Sequence, residues 1–366
     1  MRVHVVDPSA YTPPYDDALC SALARAGAQV ELFTSRFAHA PLPPPRGYTR
    51  RETFYPGAAA VRPPALRRAV KLAEHVPGML AYRRAASDAA VVHFQWLAVQ
   101  HLDGALLPRS RPLVLTAHDV LPREPRAGQV RAQRRLYDHF DAVVALTEHG
   151  AARLAAEAGV APEKIHVIPH GVLRPWEGQP AEPLPQELAG VDTGEPVVLF
   201  VGLLRPYKGL DVLARAWAGI EGAQLWIAGA PRMDLAPLRA ALPAGASLLA
   251  RFVGDGELHA LLARASLVVL PYRQIEQSGV AFTALGAGAP LLLSEVGGFG
   301  ELARGGAAHT VAAGDADSLR AALRGLLDDP GALAHMRARA QELAATEYGW
   351  DAIAAKTLAL YEGLAG

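Results

Sequence analysis

Lysine is scarce in this chain. Of its 36 basic residues only Lys71, Lys164, Lys208 and Lys356 are lysines, and the rest are arginine. The bias is what a GC-rich genome produces, and it makes a lysine in a ligand-like loop more notable. Cysteine is nearly absent. Cys20 stands alone, which excludes a disulfide within the chain, fits a reducing compartment, and reads as a small buried thiol. Net charge is absent too, with 36 acidic residues against 36 basic ones. That removes any global electrostatic case for a nucleic-acid partner. No apolar run approaches the roughly 20 residues that span a bilayer. Met1 to Asp7 leads straight into a strand, with no signal-peptide core, so the expected location is cytoplasmic. With 51% hydrophobic and 20% charged residues the chain is foldable and not disordered.

A length of 366 residues suggests two domains. Both halves alternate β-rich runs with helical periodicity, the mark of parallel βαβ units. In the first half strands are expected at Val3–Val6, Val30–Thr34, Ala90–Phe94, Leu113–Thr116, Ala142–Leu146 and Ile165–Ile168. In the second they are expected at Val197–Val201, Leu225–Ala228, Ala250–Val253, Leu267–Leu270, Leu291–Ser294 and His309–Val311. The fold class is α/β, with two Rossmann-like doubly wound domains facing a cleft. Residues 173–196 carry Pro175, Pro180, Pro183, Pro185 and Pro196 with few periodic apolar positions, and read as a linker. The expected division is 1–172, the linker, 197–348, and a terminal helix over 349–366.

The segment from Val197 to Leu210, VVLFVGLLRPYKGL, carries the strongest functional signal. A buried-type strand ends at Gly202. A loop follows with Arg205 and Lys208, then Gly209 and a helix. Such a strand–loop–helix junction suits an anion. A second junction lies in PYRQIEQSGVAFTALGAGAP, from Pro271 to Pro290. There Ser278 and Gly279 open a helix whose first amides, including that of Val280, point outward.

These two segments resemble family 4 glycosyltransferases, retaining enzymes of GT-B fold, and the likeness extends over nearly the whole chain. The family pattern has a glutamate, seven residues, a second glutamate, then Ala-x-x-x-Gly-x-Pro. Ala284, Gly288 and Pro290 match its end. The second glutamate is replaced by Thr283, the first by Ile275, and Glu276 lies one residue out of register; the Gln277-Ser278-Gly279 run resembles a Gln-Ser-Gly branch of the family. Thr283 cannot accept two charge-assisted bonds from a ribose, which leaves nucleotide identity open. The resemblance implies transfer of a sugar from a nucleotide-diphosphate sugar to a hydroxyl acceptor, without cofactor or metal. Arg205 and Lys208 would stabilise the leaving diphosphate. Gly202, Glu276, Ser278, Gly279, Val280 and Thr283 would surround the donor. His118, at the carboxyl end of a strand, would contact the donor sugar. The same resemblance implies that the terminal helix crosses back to the first domain.

Other features are more local. The loop after the first strand is proline-rich, Pro8 to Asp17, and unsuited to cradling phosphate. Tyr15 and Asp16 fit an acceptor wall, and helix capping explains Asp16 or Asp17 about as well. His93 is a lesser site candidate and His170 reads as a structural or hinge residue. Asp315-Ala316-Asp317 mimics a metal motif, but its place before a helical run favours capping. Two basic groups, one of Arg62, Arg67, Arg68, Lys71, Arg83 and Arg84 and one of Arg123, Arg126, Arg131, Arg134 and Arg135, raise peripheral contact with an anionic membrane. A nucleotide-sugar epimerase of the same fold and a silent nucleotide-sugar-binding paralogue are the alternative functions.

Overall fold

A computed structural model of the protein describes residues 1–37, 42–61, 63–122, 125–180, 182–243 and 245–366. The chain divides into two compact units, Met1–Gly171 with Trp350–Gly366, and Val172–Gly349.

The first unit holds seven parallel strands: β1 (Arg2–Asp7), β2 (Gln29–Ser35), β3 (Thr49–Phe54), β4 (Val91–Phe94), β5 (Leu113–Ala117), β6 (Ala142–Ala145) and β7 (Ile165–Val167). Their order is β3-β2-β1-β4-β5-β6-β7. Central strands are apolar on both faces because helices cover both; Val3, Val5 and Val6 are fully buried. β3 was not expected. Its Arg50, Arg51 and Glu52 break the apolar pattern, and they are tolerated because β3 is an edge strand, where charge discourages further pairing. Arg51 pairs with Glu31 on β2. The terminal helix Trp350–Ala365 belongs to this unit and packs on the helix Pro13–Arg25. Ile353 and Tyr361 are fully buried, and Arg25 pairs with Asp351 at 2.6 Å.

The second unit holds β8 (Val197–Val201), β9 (Gln224–Ala228), β10 (Ala246–Leu249), β11 (Leu267–Leu270), β12 (Leu291–Ser294) and β13 (Ala308–Val311), all parallel, in the order β10-β9-β8-β11-β12-β13. Two expectations are corrected here. The strand expected at Ala250–Val253 lies four residues earlier, at Ala246–Leu249. Arg251 is held outside the sheet by Glu187 at 3.1 Å and Glu257 at 2.7 Å. The proline-rich stretch is not a free linker but part of the second unit. Trp176 stacks on His259 at 4.8 Å, Leu188 is buried, and Arg264 grips Asp192 through two bonds of 2.7 and 2.6 Å. Proline removes helical periodicity from such a segment without preventing it from packing.

Candidate active site

In the second unit β8 lies beside both β9 and β11, and the chain winds outward in opposite directions from it. The carboxyl ends of β8 and β11 therefore flank the point where ligands bind in open α/β sheets. The loops leaving these two strands are the two singled out above. Gly202 has φ +122°, and a Cβ there would meet Lys208 Nζ at 3.0 Å and Val280 Cγ2 at 3.1 Å. So the basic loop and the first turn of the helix Gly279–Gly286 converge on one glycine. Gly209 has φ +69°, and its absent Cβ would lie 1.9 Å from the carbonyl oxygen of Pro271. Only glycine lets the two loops close on each other.

Arg273 locks this arrangement. Its guanidinium donates to the carbonyl of Pro206 at 3.1 Å and to both oxygens of Asp211 at 2.8 and 2.6 Å. Its amide donates to the carbonyl of Tyr207 at 2.8 Å. Neither Arg273 nor Asp211 was anticipated. The only sequence signal was an arginine three residues past a strand end, and such arginines are common. The turn Pro206–Lys208 is thereby fixed, with Lys208 only 6% exposed. Its ammonium sits 4.9 Å from the ring centre of Tyr272 and 5.9 Å from that of Phe200. Aromatic faces tolerate a cation while keeping water away from it. Arg205, at the start of the turn, is exposed. The two cations thus differ: one is buried and preoriented, the other free to swing onto a ligand.

Ser278 caps the helix Gly279–Gly286, its hydroxyl accepting from the amide of Ala281 at 3.4 Å. The nearest atom to a Cβ at Gly279 would be Leu173 Cδ1 at 3.8 Å, so space remains in front of the helix start. Thr283 is buried, and its hydroxyl donates to the carbonyl of Gly279 at 2.8 Å. That hydroxyl is left with lone pairs only. Glu276 is half-buried, and its carbonyl accepts from the amide of Gly298 at 3.0 Å, which ties the loop to the turn after β12.

His118 follows β5 in the first unit. Its ring stacks on Trp96 at 4.9 Å and 8°, and its Nε2 lies 3.2 Å from Gln95 Oε1. It borders a cavity of about 200 Å³ with Trp96, Gln100, Gln129 and Gln133. Burial, then the neighbouring His170 and His93, hold its pKa well below the ordinary histidine value, so the imidazole is neutral. Tyr15 and Asp16 do not form a wall. Tyr15 is a core ring packed against His118 and His170 at 4.9 Å and Trp350 at 5.2 Å. Burial raises its phenol pKa. Asp16 is 1% exposed and lies beside the fully buried Asp7. Asp7 accepts the amides of Ser9 at 3.2 Å, Tyr11 at 2.6 Å and Thr12 at 3.2 Å. Burial, then the charge of Asp7, push the Asp16 carboxyl well up. This pair folds the proline loop inward; that is why both side chains leave the surface. Asp16 does not cap the helix, since the cap position is Thr12. Asp315 does cap, accepting the amides of Asp317 and Ser318 at 3.0 Å each.

His93 joins the terminal helix to the sheet, with Nδ1 2.5 Å from the Tyr361 hydroxyl and Nε2 2.7 Å from that of Thr116. His170 Nδ1 donates to the carbonyl of Gly171 at 2.6 Å. Burial lowers the pKa of His93 to about 3 and of His170 to about 4. A histidine depressed in the folded state costs nothing above its unfolded value near 6.5, and below it the fold loses stability as pH falls toward the folded value. Each should cost about 2 kcal/mol of stability between pH 7 and pH 5, at about 1.4 kcal/mol per pKa unit. Asp16 works the other way, because a raised acid pKa favours the fold as pH falls. The test is therefore a difference: urea unfolding of H170Q should lose less stability between pH 7 and pH 5 than the parent, and equal losses would refute the assignment.

Among the described residues no helix is long and apolar enough to cross a membrane, and no group of three or more His, Cys, Asp or Glu side chains is placed to hold a metal ion.

Residues 17–172 match the profile of Glycosyltransferase Family 4, and residues 195–329 match that of Glycosyl transferases group 1. The chain is 32% identical to D-inositol 3-phosphate glycosyltransferase 1 of Catenulispora acidiphila, an alignment covering 92% of this chain and 87% of the relative. It is 29% identical to a D-inositol 3-phosphate glycosyltransferase of Mycobacterium avium over 68% of this chain and 63% of the relative. Its architecture superposes on HepE from Anabaena in complex with UDP with a TM-score of 0.75 at 19% identity, covering 100% of both chains. Sucrose-phosphate synthase from Thermosynechococcus elongatus gives a TM-score of 0.74 at 21% identity, covering 100% of this chain and 99% of that one. With two parallel Rossmann-like units and both halves matched, this chain belongs to glycosyltransferase family 4 and has the GT-B fold.

Proposed function

We propose that the enzyme transfers a sugar from a nucleotide-diphosphate sugar to a hydroxyl acceptor with retention of anomeric configuration. The observation that carries this reading is the buried Lys208 ammonium beside Gly202 and Val280 at the β8–β11 junction. Negative charge grows on the leaving diphosphate as the anomeric C–O bond breaks. A fixed cation in a dry site stabilises that charge more in the transition state than in the ground state. The acceptor oxygen bonds to the anomeric carbon on the face the diphosphate leaves, and its proton passes to the departing phosphate oxygen. Lys208 and Arg205 supply the positive charge this step needs, so it calls for no metal. Thr283 cannot replace a glutamate at the ribose, and nucleotide choice falls to other groups of the loop, Glu276 among them. His118, a neutral imidazole, is the proposed hydrogen-bonding partner of the donor sugar.

The HepE neighbour was solved with UDP, and the first relative is named for D-inositol 3-phosphate, so UDP-sugars and a polyol phosphate are the first substrates to try. A thermal-shift screen of UDP, GDP, ADP and TDP should single out one nucleotide, because a ligand that binds only the folded state raises Tm. NMR of the product formed with the matching α-linked donor should show an α-linkage. A β-linked product would refute retention, and the absence of any nucleotide shift would refute the donor site.

Peripheral contact with an anionic membrane is also proposed, and it rests on the helix Pro64–Ala85. Leu66, Leu72, Val76 and Leu80 are 54, 56, 37 and 39% exposed on it, flanked by Arg67, Arg68 and Arg84. Salt-sensitive co-sedimentation with phosphatidylglycerol vesicles is the expected result. Arg62 and Arg123 of the two basic groups lie outside the described residues.

A further inference from the structure

We propose that the groove between the helices Gln100–Leu106 and Gln129–Tyr137 binds a phosphate-class oxyanion, inorganic phosphate or a phosphomonoester, at a site built from groups other than those of the diphosphate loop. The groove has a volume of about 290 Å³. Liquid water occupies roughly 30 Å³ per molecule, so a phosphomonoester fits. Every titratable side chain lining it is basic: His101, Arg131, Arg135 and His139, with no carboxylate among the lining residues.

The side chains converge because two glycines admit them. A Cβ at Gly104 would lie 2.8 Å from His139 Nε2, so the His139 ring crosses onto the first helix. A Cβ at Gly128 would lie 3.5 Å from His101 Cε1, so the His101 ring reaches the start of the second. Gln129 Nε2 donates to Gln100 Oε1 at 3.3 Å and closes one end. Arg131 and Arg135 are one turn apart on the same helix, with Cβ atoms roughly 5–6 Å from each other. Like charges at that spacing repel. Arg131 also lies in the first turn, where the helix dipole disfavours a cation, and that turn holds no acidic residue. Among the described residues no ion pair engages either arginine. The groove thus concentrates positive charge that no described residue pairs, and a bound oxyanion relieves both conflicts through bidentate arginine bonds.

The test follows ring proton signals of His101 and His139, assigned through H101Q and H139Q, during titration of the full-length protein with inorganic phosphate against chloride at matched ionic strength. A saturable shift specific to phosphate is expected. In the R131S/R135S double variant the affinity should fall at least ten-fold. Both arginines are exposed, so the fold should survive, and a circular dichroism spectrum checks it. Because this site rests on groups other than the donor loop, R205A/K208A should leave the shift intact whether or not the donor reading holds. Phosphatidylglycerol vesicles that displace phosphate would assign the site to a lipid headgroup, and phosphate binding untouched by them would assign it to a soluble phosphate. No saturable shift, or an equal one in the double variant, would overturn the proposal.

Discussion

Lys208→Ala should lower kcat for sugar transfer by about 10²–10³, the usual loss on removing one preorganised donor to developing charge. Substrate KM should change far less, because the interaction grows as the phosphate departs. Three features make the effect large. The ammonium is buried, its turn is pinned by Arg273, and among the described residues no other cation lies within 4 Å of the place a Gly202 Cβ would take. Arg205→Ala should act differently. Its side chain is exposed and must reorganise onto the ligand, so its loss should raise KM as well as lower kcat. Steady-state kinetics on both variants checks the contrast. Transfer rates within a few-fold of the parent in both would sink the assignment.

Gly209→Ala should be among the most damaging single changes in the second unit. A left-handed backbone costs a non-glycine residue about 1–2 kcal/mol. The new methyl would also overlap the Pro271 carbonyl, 1.9 Å away, and that oxygen belongs to backbone that cannot rotate aside. A total near or above about 3 kcal/mol places it with the severe core mutations. For a unit of this size the melting temperature should fall by roughly 6–12 °C, at 2–4 °C per kcal/mol. Gly222→Ala is the control. It shares a left-handed φ of +68° but has nothing within 4 Å of the new methyl, so it should show the backbone cost alone. Matching losses in the two variants would show that the close approach of the loops is not what Gly209 serves.

The strands most readily seen in advance were the apolar ones. Val197–Val201, Leu267–Leu270 and Leu291–Ser294 are strands at the expected boundaries, because strands buried on both faces read as unbroken apolar runs. β3 went unseen for the opposite reason: an edge strand need not be apolar, and Thr-Arg-Arg-Glu-Thr carries no such signal. The helices Gln100–Leu106 and Phe299–Arg304 are too short for periodicity to declare itself. The basic loop was legible because it joins a strong strand to a glycine and a helix in one continuous segment. The Arg273–Asp211 lock was not, since its partners are 62 residues apart.

From residue order alone came the doubly wound architecture in two halves, the anion-suited loop of Arg205 and Lys208, and the strand-end position of His118. Each is encoded by neighbours in the chain. The tertiary structure decided which of these side chains are buried. It placed Lys208 under Tyr272 and beside Val280, left Arg205 in solvent, drew Tyr15 and Asp16 inside, and folded the proline stretch onto the second unit. Burial depends on what arrives from distant segments to cover a residue, and no local pattern records that.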